Sequence, residues 1–431
     1  MTKAAWIVFD LGFGDAGKGA TVDFLVRDRR ADLVVRFNGG AQAGHNVVSP
    51  AGDHHTFSQI GAGTFVPGTQ TLLGPDFVLH PGALLIESRR LETLGVPDAL
   101  ARTHIDRRAL VISPFQQAAG RLRELRRGDL AHGTCGVGVG ETVSDSLAGA
   151  RDIIRAADLD DPHRIARKLA SQRRRKQREL PSAGDPLDPR AAVERSILEN
   201  ANIVDRTVES WGCLPRQCRL LAPEATPRLI RDAATVVFEG AQGALLDQDR
   251  GFHPHTTWSD CTPRGAQALL RGIHAAVNRI GVLRSYMVRH GHGPFPTHDP
   301  EFDGRYPEIH NDDRGWQGRV RRGPLDFVLL RYALEVCGGA EGLALNCLDR
   351  TAEGVAVCRS YQTDGAAVDR LAPPPAGDHA ALCQLGSRLE RVRPVLNHVA
   401  GSRLVETVKQ QLGVPVILSA AGPSAGDRSW H

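Results

Sequence analysis

Short continuous apolar runs, each closed by a glycine-rich or charged segment, recur along this chain and indicate its fold class. The first is Trp6-Ile7-Val8-Phe9, followed by Gly12-Phe13-Gly14-Asp15-Ala16-Gly17-Lys18-Gly19 and a helix-compatible segment over residues 20–27. Further runs cover residues 31–37, 71–79, 111–113, 234–238, 279–289, 343–349 and 414–423. Runs without polar alternation suit strands covered on both faces, as in a parallel sheet. Residues 81–94 and Pro114–Arg127 between them read as helices. From 150 to 210 the pattern turns helical and basic, with Arg173-Arg174-Arg175-Lys176 ahead of a Pro/Gly/Asp-rich break at 181–189. The expectation is an α/β fold: a P-loop-like, mostly parallel central sheet flanked by helices. It is expected as one domain over residues 1–431, with a helical insertion at about 150–230. The basic run reads as a solvated face, since no aromatic residues are interleaved with it to stack on bases.

The spacing Gly12-x4-Gly17-Lys18 is that of a phosphate-binding loop, whose glycines turn backbone N–H groups toward phosphate oxygens at a helix N-terminus. Gly19 stands where such loops carry Ser or Thr to help hold Mg²⁺, so a hard oxygen ligand must come from elsewhere, and Asp15 is the carboxylate within the loop. His45 ends a glycine-dense segment after the second strand and is a candidate acid, set against the structural role a lone histidine usually has. Residues 133–142 hold four glycines in their first eight positions and read as a flexible loop able to close over an anion. His290 and His292, with no ligand cluster nearby, read as positioning or structural groups rather than metal ligands. Gly318-Arg319-Val320-Arg321-Arg322-Gly323 reads as an arginine cluster on a loop that suits a carboxylate or phosphate. Asn346-x-x-Asp349 can present a carboxylate to a guanine edge, with Cys347 where a lysine is usual.

Composition narrows the classes. With 41% hydrophobic and 24% charged residues the chain has the material for a packed core, and a net charge of +4 suits anionic substrates without indicating nucleic acid. Eight scattered cysteines with no C-x-x-C pair indicate reduced thiols. No apolar run reaches spanning length and the first strand begins within a few residues of Met1, so a cytoplasmic protein without membrane contact is expected.

Taken in order, these motifs resemble the adenylosuccinate synthetase family over nearly the whole chain. The carriers are Gly14 to Gly19, Ala43-Gly44-His45, Phe238-Glu239-Gly240-Ala241-Gln242-Gly243 with Leu245-Leu246-Asp247, Gly293 to Thr297, Gly318-Arg319-x-Arg321-Arg322, Leu348-Asp349 and Ser419 to Pro423. The resemblance implies a GTP-dependent ligase that phosphorylates the 6-oxygen of IMP and then joins aspartate to carbon 6. It implies Asp15 and His45 as base and acid, and Asp15 with the Gly44 carbonyl as Mg²⁺ ligands. Gly14, Gly17, Lys18, Gly19, Asn46, Asp349, Ser419 and Gly422 would contact the nucleotide. Thr134, Gln242, Thr257 and Arg319 would contact the acceptor, and Gln317, Arg319 and Arg321 the amino acid. A homodimer acting on small molecules is expected.

The departures fall on recognition. Ala16 replaces a family Glu, Trp316-Gln317 a Thr-Thr pair, Cys135 and Val137 a Thr and an Arg, and Cys347 the lysine beside the guanine reader. Gly149 replaces the arginine that a partner subunit lends to the IMP phosphate, with Arg151 the nearest substitute. The alternatives are a paralogue acting on a modified purine or other lactam with a different amine, and a non-catalytic nucleotide-binding protein.

Overall fold

The computed structural model describes residues 4–307, 315–363 and 365–431. Residues 1–3 and 312–314, the latter opening the arginine segment, lie outside them. A ten-stranded sheet runs through the molecule in the order Arg428–Trp430, Val416–Ala420, Gly342–Asn346, Ala276–Arg284, Ala4–Asp10, Thr235–Glu239, Leu33–Arg36, Gln70–Leu73, Thr103–Asp106, Arg219–Leu221. Every neighbouring pair is parallel except the edge pair of Val416–Ala420 with Arg428–Trp430. The mostly parallel α/β expectation holds, and its physical basis is visible in how the strands alternate. Ile7, Phe9, Leu33, Val35, Val236 and Phe238 enter the core on one face, and Val8, Val34 and Val237 the core on the other. Both faces are therefore covered, which is why the runs are continuously apolar. One core includes helix Phe327–Val336, and the other includes Lys18–Arg29, Pro81–Thr93 and Pro114–Arg127.

Four expectations need correction. Residues 71–79 are two strands, Gln70–Leu73 and Val78–Leu79, because Gly74 and Pro75 interrupt the run. The glycine-dense segment 133–142 is a loop only as far as Gly138; helix Val139–Leu147 starts there, with Gly138 as a left-handed N-cap at φ 100°. The arginine cluster is a strand, Val320–Gly323, paired antiparallel with Met287–His290. The basic run is not simply solvated, since Lys176 is 1% exposed. Its Nζ lies 2.5 Å from Glu141, 2.7 Å from Asp145 and 3.1 Å from Glu179, while Arg175 binds Asp145 and Asp152. These three carboxylates converge as a metal site would, but the ammonium group already sits among them. No described helix is long and apolar enough to cross a membrane.

Candidate active site

Five neighbouring parallel strands end in polar residues at the sheet's carboxyl edge, in the spatial order Asn346, Arg284, Asp10, Glu239, Arg36. This edge is where open α/β sheets bind ligands, and the glycine loop, the glycine-dense segment before His45 and the segment carrying Gln242 leave directly from it. The glycine loop follows Asp10. Buried Asp10 accepts hydrogen bonds from the N–H groups of Gly12 and Ala16 at 2.7 and 3.1 Å, and its Oδ2 holds Lys18 Nζ at 2.7 Å. One carboxylate thus shapes the loop and stores the lysine beside it. Gly14 and Gly17 take φ values of 94° and 93°, and Asp15 itself takes 55°. Asn346 donates to the Ala16 carbonyl at 2.7 Å, and a Cβ on Gly17 would lie 3.0 Å from the Asn346 amide nitrogen.

Gly19 explains its own departure from the usual loop. A Cβ there would lie 2.7 Å from His45 Cβ and 3.1 Å from its Cα, so a Ser or Thr is excluded and the Gly44-His45 segment seats directly on the start of the helix. His45, 6% exposed, opens the hairpin strand His45–Val48, and its Nδ1 lies 2.5 Å from Glu239 Oε1. The other carboxylate oxygen of Glu239 accepts from the Ala62 N–H at 3.0 Å. Arg36 is the register partner of Glu239 on the adjoining strand and is fully buried. Burial first, then the charges of Arg36 and Lys18, hold His45 below the usual imidazole value against the pull of Glu239. For Glu239 burial pushes upward, but Arg36, His45 and the Ala62 N–H outweigh it and keep the carboxylate ionised.

Asp15 Oδ2 lies 2.7 Å from His290 Nε2. Burial pushes the Asp15 carboxyl upward; the hydrogen bond and charge of His290, then Arg284 and Lys18, hold it well below the ordinary range. Facing this loop, Gln242 adopts a left-handed φ of 56° and its buried Oε1 has no hydrogen-bond partner among the described residues, which leaves an acceptor available to a ligand. Gly243 packs so closely that a Cβ would lie 2.2 Å from the Gly12 carbonyl oxygen. The Thr257 N–H donates to the Leu246 carbonyl at 2.8 Å, anchoring that threonine to the turn after Gln242.

At the arginine strand, Arg319 lies 2.9 Å from Asp303 and Arg321 donates to the Gly293 carbonyl at 2.8 Å. Arg322 donates its backbone N–H to Asp303 at 2.7 Å. Asp303 thus gathers two of the three cations, the Arg322 guanidinium also lying 3.8 Å from it. Arg319 and Arg321 border a cavity of about 440 Å³, whose other walls include His298, Phe295, Leu389 and Glu390. Buried Arg289 shapes that wall by donating to the carbonyls of His292, Pro294 and His255. Thr134 bonds within its own loop, its Oγ1 accepting from Gly136 N at 3.3 Å. Asp349 is exposed on the short turn Leu348–Thr351. Ser419 is the register partner of Leu345 on the next strand, and Gly422 packs on Asp427. Asn46 accepts from His54 and Thr56 at 3.0 and 2.6 Å.

The glycine loop, Asp15, Lys18, His45 and Gln242 therefore converge, with His290 joining them as a positioning group. Of Asp10, Glu239, Arg36, Asn346 and Asp303, the sequence singled out only Glu239 and Asn346, each within a longer motif and without a role of its own. The first four share a readable signal, an apolar strand run that stops on a polar residue, whereas Asp303 carries none.

A parallel α/β sheet with a glycine-rich strand-to-helix loop, a buried lysine, a carboxylate and an imidazole at its carboxyl edge is the arrangement of a nucleotide-dependent enzyme. A family model described as adenylosuccinate synthetase matches residues 7–425. The adenylosuccinate synthetase of Chlorobium phaeobacteroides is 32% identical over 456 aligned residues, covering 98% of this chain and 96% of that protein. A solved structure of fully ligated adenylosuccinate synthetase from Plasmodium falciparum shares the fold at a TM-score of 0.76 and 19% identity, over 99% of each chain. The succinoaminodeoxyadenylate synthetase of cyanophage S-2L, bound to dGMP and dATP as an energy donor, shares it at 0.56 and 15%, over 100% of this chain and 96% of that one.

The chain belongs to the adenylosuccinate synthetase family, GTP- and Mg²⁺-using ligases that form the carbon–nitrogen bond between aspartate and IMP.

Proposed function

We propose that this chain joins aspartate to carbon 6 of IMP, using GTP to phosphorylate the 6-oxygen first. The observation that carries the reading is the convergence of Asp15, Lys18 and His45 on one loop, each held by its own partner at 2.5 to 2.7 Å. A lactam oxygen is a poor leaving group, and phosphorylation makes it a good one. Asp15, kept ionised by His290, takes the ring proton of the acceptor. Lys18 leaves Asp10 for the nucleotide phosphates, and Gln242 offers its unpaired oxygen to the acceptor. His45 donates toward the oxygen under attack while Glu239 holds its other nitrogen.

Asp15 and the Gly44 carbonyl would hold Mg²⁺. Both are hard oxygen donors, and the missing Gly19 side chain is what lets the Gly44 segment approach the loop. The ion supplies charge neutralisation of the transferring phosphate. Asp349 would read guanine, with Ser419 and Gly422 flanking the base and Gly14, Gly17, Gly19 and Asn46 completing the nucleotide site. Thr134, Thr257 and Arg319 would contact IMP; Gln317, Arg319 and Arg321 would contact the amino acid. A cytoplasmic homodimer fits this reading. Leu147, 72% exposed, adjoins Gly149 and Arg151, the stretch from which the family reaches across subunits, and sedimentation would test it.

A second reading is favoured by Trp316, whose indole packs on Gly136 in the segment where the family resemblance implies a Thr-Thr pair: a paralogue with another amine or acceptor. One assay separates them. Incubation with GTP, Mg²⁺, IMP and aspartate yields adenylosuccinate on the first reading; no product, with phosphate released in the presence of a different lactam, supports the second.

A further inference from the structure

Trp316 and Gly136 belong to different parts of the proposed site, and they touch. Gly136 lies in the loop that carries Thr134 and takes φ 69°; a Cβ there would lie 2.5 Å from Trp316 Cγ and 2.6 Å from Cδ1. The indole therefore rests on bare backbone that only glycine offers. Two guanidinium groups stack on the same ring, Arg121 at 5.3 Å and Arg190 at 5.2 Å from its centroid. They come from separate helices, Pro114–Arg127 and Pro189–Glu199. Arg121 also donates to the Gly136 carbonyl at 2.6 Å and to Glu194 at 2.9 Å, so the seat of the indole is itself braced. On its other side Trp316 continues through Gln317, whose carbonyl oxygen lies against Gly291, and Gly318 into Arg319 and Arg321.

We propose that Trp316 is a positioning residue that couples the acceptor loop to the amine-binding arginine strand. When the Thr134 loop is ordered by the acceptor, Gly136 presents a fixed seat, the indole docks, and Arg319 and Arg321 are held ready for the carboxylate of the amine. When that loop is loose, the arginine strand loses this brace and keeps only its pairing with Met287–His290 and the contacts of Arg319 with Asp303 and Arg321 with Gly293. Coupling of this kind is reciprocal, so the acceptor raises the affinity of the amine and the amine that of the acceptor by one factor. The inference rests on reading Arg319 and Arg321 as the carboxylate-binding pair.

The test is equilibrium binding of aspartate to the full-length protein with and without saturating IMP, read by calorimetry. The wild type should bind aspartate about tenfold more tightly when IMP is present, within the usual range for coupled sites. Trp316→Ala should abolish that factor, with kcat at saturating aspartate and the KM for GTP each within about twofold of wild type. Trp316→Phe, which keeps an aromatic face for both guanidiniums, should restore most of it, and Arg190→Ala should reduce it from outside the loop. A Trp316→Ala protein that keeps the full coupling factor overturns the proposal. So does one in which kcat and thermal stability fall and every KM rises together without rescue by Trp316→Phe, since that is a structural role. Failure of the underlying reading looks different: Arg321→Lys would then leave aspartate binding unchanged.

Discussion

Replacing Glu239 by Gln tests the acid directly, because the two carboxylate oxygens have different partners. The Ala62 N–H, 3.0 Å from Oε2, selects the carbonyl oxygen of the glutamine. Its NH₂ group must then face His45 Nδ1, in the place where Oε1 now lies at 2.5 Å. A donor at that position fixes the neutral tautomer with the proton on Nε2. The imidazole keeps its geometry but is no longer paired with an anion that stabilises its charged form, and the Arg36 guanidinium, which already disfavours that form, stays close by. A positioned acid contributes about a hundredfold to ten-thousandfold, or about 3–5 kcal/mol of barrier. The variant should lose kcat within that range while the KM for GTP, set by the glycine loop and the base pocket, stays near wild type. Adenylosuccinate formation followed by absorbance, with thermal melting to confirm folding, measures both. A loss of kcat smaller than about tenfold in a folded variant would refute the assignment of His45 as an acid oriented by Glu239.

Three further outcomes follow from the geometry. Gly19→Ala places a methyl group 2.7 Å from His45 Cβ, so His45 must shift, and kcat should fall by about a hundredfold; unchanged kcat would show that His45 is not held by this approach. Asp349→Ala removes a charged acceptor worth about 1.5–3 kcal/mol and should raise the KM for GTP more than tenfold while leaving use of ATP unchanged, and an unaltered ratio of the two would move guanine recognition elsewhere. Burial pushes the Asp326 carboxyl up to about 6 against the hydrogen bonds of Tyr361, Leu329 and Val328. Because its folded value exceeds the unfolded one, its contribution is full below about pH 4 and is lost as pH rises through 6, on the order of 3 kcal/mol. Asp326→Asn should flatten the decline of thermal stability over that window, and an equal slope in both proteins would contradict it.

The sheet was legible because parallel strands covered on both faces must be continuously apolar, and Trp6 to Phe9, Val236 to Phe238 and Leu343 to Leu345 satisfy that without reference to anything distant. The glycine loop was legible because its spacing encodes a backbone shape. What holds the site was less so. Nothing near Glu239 in sequence announces His45, and their contact exists only because strand Thr235–Glu239 lies beside Leu33–Arg36. Asp303 lies in a segment of ordinary surface composition and acts only after the chain folds back on Val320–Gly323. Lys176 shows the same limit in reverse: its run reads as exposed charge until Glu141 and Asp145, about 30 residues upstream, enclose it.

Whether the 6-oxygen leaves as phosphate is decided by a label on that oxygen. With IMP carrying oxygen-18 at carbon 6, together with GTP, Mg²⁺ and aspartate, each phosphate released should carry one labelled oxygen and the purine product none. Label-free phosphate formed in step with product would contradict this, because the lactam oxygen would then have left without receiving the phosphoryl group.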